Sequence, residues 1–63
     1  MTDTTHTPVR LIRETGKAYL LESTETRRTD FFPKSQVHFE RMNHKTMEGV
    51  CVIPDWLLDA KGW

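Results

Sequence analysis

The run Gly49-Val50-Cys51-Val52-Ile53-Pro54-Asp55-Trp56-Leu57-Leu58-Asp59-Ala60-Lys61-Gly62-Trp63 changes character once, at its proline. Residues 49–53 are short and β-branched, which makes them the best candidate in the chain for a central strand. Pro54 then fits the first position of a helix, where its missing N–H costs nothing, and Asp55 follows in the first turn, where the helix dipole favours an acid. Lys61 falls in the last turn and Gly62 can adopt the left-handed conformation that ends a helix. The spacing predicts a helix over about 54–61. It would bury Trp56 as its anchor together with Leu57 and Ala60, and turn Leu58 outward. Trp63 would pack back against the end it follows.

Upstream, the period is that of strands. Val9, Leu11, Tyr19 and Leu21 alternate with Arg10, Arg13, Lys17 and Glu22, and Glu14-Thr15-Gly16-Lys17 has turn chemistry. A hairpin over about 9–14 and 17–23 follows, with Ile12, Ala18 and Leu20 on its other face. Residues 23–28 form a polar connection and 29–32 a third strand, which Pro33 stops because it has no N–H to donate. Pro33-Lys34-Ser35-Gln36 is a bend or a single helical turn. In residues 37–42, Val37 and Phe39 alternate with His38 and Glu40 as a fourth strand, and 43–49 is a loop. Residues 1–8 are Thr-rich and aperiodic, so they are expected to form a disordered N-terminal tail ahead of one domain over 9–63. The fold class is mostly β (α+β): about five short antiparallel strands in a small SH3-like or OB-like barrel or a curled sheet, with one C-terminal helix.

Composition narrows what such a domain can do. At 63 residues and 7.4 kDa, the chain buries only roughly 60% of the surface it exposes when unfolded. Too little chain remains after the core to wall off a deep substrate pocket. A single cysteine excludes an intramolecular disulfide, and no apolar run approaches the roughly 18 residues of a membrane span. Without a visible export signal, the expectation is a cytoplasmic domain with no membrane association. Nine basic residues balance nine acidic ones, but unevenly. Residues 1–45 carry eight basic and six acidic groups and residues 46–63 carry one and three, so one face can be positive although the chain is neutral.

Two stretches also resemble a known group of sequences. Phe31-Phe32-Pro33-Lys34-Ser35-Gln36-Val37, followed by Ile53-Pro54-Asp55-Trp56-Leu57-Leu58-Asp59-Ala60-Lys61-Gly62, is similar to small uncharacterised phage, prophage and bacterial proteins. These carry an aromatic-aliphatic-Pro-Lys-Ser-Gln-aliphatic motif before an Ile-Pro-acid-Trp-Leu helix ending in Lys-Gly. The resemblance spans residues 17–62, with Phe31 where the pattern has Trp and a longer 43–49 loop. It implies a compact phage-type accessory protein and transfers no catalytic residue.

Four kinds of chemistry can be weighed on these residues. Arg27, Arg28, Phe31, Phe32, Lys34 and Gln36 combine cations with adjacent aromatics, the ingredients of a surface for single-stranded nucleic acid. Because neighbours on a strand point to opposite faces, one phenylalanine can be core while the other tends toward the surface. The alternative, which the near-neutral charge favours, is that both are core in a barrel covered on both sides and Pro33-Lys34-Ser35-Gln36 is simply a bend. A near-neutral chain argues against a dedicated nucleic-acid binder. Met42, Met47 and Leu58 are apolar residues suited to a protein partner, a host enzyme in the phage-type reading. A homodimer through an edge strand is a further expectation. His38, His44 and Cys51, with His6, lack the close pairs of a zinc site, so neither a metal nor any other cofactor is expected. His38 with Cys51, or His44 with Ser35, forms no recognisable nucleophile–base motif, so no catalytic residue is assigned.

Overall fold

Alternation does produce the hairpin, and its first strand is far longer than its apolar part. The computed structural model describes residues 3–63. It contains five strands, β1 (Thr4–Glu14), β2 (Ala18–Ser23), β3 (Thr29–Pro33), β4 (His38–Asn43) and β5 (Glu48–Pro54), and a helix, α1 (Asp55–Lys61). All strand pairs are antiparallel, in a single sheet ordered β3-β2-β1-β5-β4. Residues 49–53 thus lie in an interior strand, one place from the centre, which β1 occupies.

The curl of the sheet comes from how β1 divides its pairing. Its first part, from Thr4 to Arg10, pairs with β5, and its last part, from Val9 to Glu14, pairs with β2. Bulges at Ile12 in β1 and Glu40 in β4 add local twist. As a result Tyr19 of β2 and Phe39 of β4, two strands that are not neighbours, meet edge to face with centroids 4.9 Å apart. The sheet does not close. β3 and β4 remain edges, and residues 34–37 carry the chain across the seam between them.

Most of the expected N-terminal tail is instead strand. Residues 4–8 are the first half of β1, and only Met1 and Thr2 of that segment lie outside the described residues. Threonine has a branched Cβ that suits a pleated strand, and β5 supplies a full ladder for it. The Asp55 N–H donates to the Asp3 carbonyl at 2.9 Å, and Thr5 Oγ1 donates to Asp55 Oδ1 at 2.5 Å. Pro8 fits within the strand because its position towards β2 needs only an acceptor: its carbonyl receives the Thr24 N–H at 3.3 Å.

Val9, Leu21, Phe32, Val37, Cys51, Ile53 and Leu57 form the buried core. Helix α1 covers one end of it, but not with the stripe expected from spacing. Trp56 is 52% exposed and Ala60 is exposed, whereas Leu57 is buried and Leu58 half-buried. The reason lies in the helix end. Gly62 is left-handed (φ 74°), its N–H reaches the Asp59 carbonyl at 3.2 Å, and the Trp63 N–H reaches the Leu58 carbonyl at 2.9 Å. That turn swings Trp63 onto Phe32, edge to face at 4.7 Å, so Trp63 supplies the aromatic contact expected of Trp56. Pro54 caps the helix from the end of β5 instead of occupying its first turn.

Candidate functional site

On the inner face of the sheet the core fades into an open mouth. Leu58 and Trp63 sit beside Thr5 and Thr7 at one end of β1; at the other end Leu11, Tyr19, Phe39, Met42 and Met47 surround a recess of about 380 Å³. Glu14, Arg41 and His44 stand at its rim. Local structure places each of these groups. Phe39 and Met42 are three residues apart and would face opposite ways in a regular strand. The bulge at Glu40 absorbs the extra residue, so Phe39 pairs with Cys51 and Met42 with Gly49 on the same face. Met47 is held in the left-handed region (φ 61°), with its N–H donating to the Asn43 carbonyl and its carbonyl accepting from Leu11, both at 2.7 Å. Lys34 closes one side: Nζ is 2.5 Å from Glu14 Oε2 and 5.1 Å from the centroid of Tyr19.

Two of the three residues assigned to a protein partner, Met42 and Met47, therefore meet in this mouth. Leu58 does not join them. It packs half-buried against the core at the helix end, because α1 turns Trp56 outward in its place. Leu11, Tyr19 and Phe39 were hidden from the pattern because they read as ordinary core residues, and only the sheet's curvature leaves them half-exposed.

The six residues considered for nucleic acid do not share a face. Phe32 is fully buried and offers no ring to a base; Phe31, on the opposite face of β3, is 45% exposed. Lys34 is engaged at the mouth with Glu14 and Tyr19. Arg28 lies against Gly62 at the end of α1, and Arg27, left-handed at φ 63°, lines a polar recess with Arg10, Glu22, Thr24 and Glu48. Gln36 is exposed in the turn, its N–H donating to the Pro33 carbonyl at 3.0 Å. What does accompany Phe31 is set by register: Leu20 opposes it on β2, and Arg13 of β1 opposes Leu20. Ile12, 49% exposed at the β1 bulge, adjoins this convex row.

Among the described residues, no three His, Cys, Asp or Glu side chains converge as metal ligands. His6 contacts Glu40 through Nδ1, and His38 lies opposite Val52 on the convex face, away from the neighbouring Cys51 on the inner face. Cys51 is fully buried, and burial pushes its thiol up to about 12. The unfolded chain loses this proton near the ordinary value of 9.0 and the folded chain only near 12, so deprotonation favours unfolding across that window. Stability should thus be unaffected by Cys51 below pH 9 and decline above it. Melting wild type and Cys51→Val between pH 8 and about 11 tests this. The loss on raising the pH should be smaller in the variant, and parallel curves would show that Cys51 does not contribute.

No helix among the described residues is long and apolar enough to cross a membrane. Compared with protein-family models, with curated proteins and with solved structures, the chain matches none.

Proposed function

We propose that the chain is a non-catalytic binding domain whose partner is a protein, with the mouth taking an aliphatic or aromatic side chain of that partner. The supporting observation is that Met42 and Met47 meet Leu11, Tyr19 and Phe39 around one recess whose rim is polar. An apolar centre inside a polar rim is the anatomy of a protein interface, and unbranched methionines adjust to the shape of an inserted group. The resemblance to phage-type proteins adds a host protein as the partner. Immobilised wild type, a Met42→Glu/Met47→Glu variant and Phe31→Ala, each first shown to be folded, should be exposed to the same bacterial lysate. Wild type and Phe31→Ala should retain one stoichiometric protein that the mouth variant loses. Retention by all three, or no stoichiometric protein at all, overturns the reading.

A second reading rests on the convex row of Arg13, Leu20 and Phe31, which carries a ring and a cation on one face with Leu20 between them. It has single-stranded nucleic acid stacking on Phe31. Affinity for a labelled oligonucleotide should then fall steeply with salt and drop in Phe31→Ala. Absence of binding at low salt ends this reading.

A further inference from the structure

The two edges of the open sheet are not alike. Along β3, the Ser23 N–H bonds to the Arg28 carbonyl and the Lys34 N–H to the Lys17 carbonyl, so even-numbered positions face β2. Antiparallel alternation then turns the backbone of Thr29, Phe31 and Pro33 outward. Pro33 has no N–H, and the Phe31 N–H is already taken by Asp30 Oδ1 at 2.7 Å. This edge retains little with which to pair another strand. Among the described residues, β4 has no such protection from proline or from a capping side chain. The Met47 carbonyl of the β4–β5 turn faces β1, so the even-numbered residues of β5 face β4. Phe39 and Met42 oppose odd-numbered Cys51 and Gly49, and their own backbone groups are directed away from the sheet.

We propose that the β4 edge pairs antiparallel with β4 of a second copy of this chain, about a two-fold axis passing between Glu40 and Arg41. The sequence His38-Phe39-Glu40-Arg41-Met42-Asn43 is self-complementary in that register. Phe39 faces Met42 of the other copy on the inner side, twice by symmetry. Glu40 faces Arg41 on the convex side, again twice, and His38 faces Asn43. The bulge matters here, because it puts Phe39 and Met42 on one face and the exposed Glu40 and Arg41 on the other. A charged bulge deters an unrelated strand, but its own copy supplies the matching charges. Phe39 and Met42 also wall the mouth, so the pairing sets the two mouths side by side along one shared wall.

Sedimentation of the full chain over a concentration series tests the proposal. Wild type should shift towards twice the 7.4 kDa chain mass as concentration rises. Arg41→Glu sets carboxylate against carboxylate in both halves, and Glu40→Arg sets guanidinium against guanidinium. Each should weaken association roughly tenfold or more. The double reversal Glu40→Arg/Arg41→Glu restores complementarity and should recover the dimer. As a readout independent of any variant, the Phe39 and Met42 amides should exchange more slowly at high concentration while that of Thr29 does not change. A protein that stays monomeric up to ~1 mM, or a dimer indifferent to all three substitutions, overturns the proposal. Capture of a partner by the mouth is measured separately and can survive that result.

Discussion

Replacing Gly49 by alanine is expected to lower the melting temperature by roughly 15 °C or more, from an overpacking cost of about 3 kcal/mol in a domain this small. A Cβ at this position would run into the Arg41 carbonyl oxygen and lie 2.9 Å from the Met42 Cα. Both obstacles are backbone of β4, so no side chain can rotate away to make room. The close approach follows from the bulge at Glu40, which bends β4 over its partner just where Met42 opposes Gly49. Relief would require the strands to part, opening the ladder that carries the mouth and the proposed dimer edge. Gly16, in the β1–β2 turn, has nothing within 4 Å of the same added atom and no left-handed φ. Its alanine variant should be neutral or slightly stabilising, by at most about 1 kcal/mol. Thermal melts of the two variants beside wild type separate the cases. Equal behaviour would mean that β4 and β5 do not approach as closely as their register indicates.

The strands and the helix were legible because alternation and terminal chemistry are local. Val9, Leu11, Tyr19 and Leu21 announce their hairpin within a few residues, and Gly62 announces a helix end by its own conformational freedom. Features that depend on a distant partner were not legible. Residues 4–8 look unable to order themselves, and they do so because β5, more than forty residues away, supplies the ladder. Trp56 was assigned to the core on helical spacing alone. The glycine turn that brings Trp63 back to Phe32 left no need for it there.

The candidate site shows the same division more sharply. Met42 and Met47 could be named from their residue type, but nothing local indicates that a bulge aligns Phe39 with Met42, or that Tyr19 reaches them across two strands. The basic and aromatic set near Phe31 was contiguous in sequence and dispersed in space. Strand alternation sent Phe31 and Phe32 to opposite faces, and Glu14, close in the fold to Lys34, took up its charge. Register, not adjacency, determines the neighbours of an exposed ring.

Those two adjacent phenylalanines carry the other large prediction. Phe32→Ala is expected to cost about 3–5 kcal/mol, comparable with the ~3–5 kcal/mol that a core of this size supplies. The variant should therefore be largely unfolded at 25 °C. Phe32 has no exposed surface, its ring meets Trp63 edge to face at 4.7 Å, and Lys61 Nζ lies 5.9 Å from its centroid. Removing it leaves a void between sheet and helix, and deprives both Trp63 and the stem of Lys61 of their support. Phe31→Ala, one residue earlier, deletes a ring that is 45% exposed on the convex face. It should change stability by no more than about 1 kcal/mol, through its cross-strand contact with Leu20. Urea titrations followed by near-ultraviolet circular dichroism, which reports the packing of Trp63, should show a native signal for Phe31→Ala. For Phe32→Ala that signal should be missing in buffer alone. The reverse order, with Phe31→Ala unfolded and Phe32→Ala native, would mean that the register of β3 is shifted by one residue, which would exchange their faces and send Asp30 outward with Phe32.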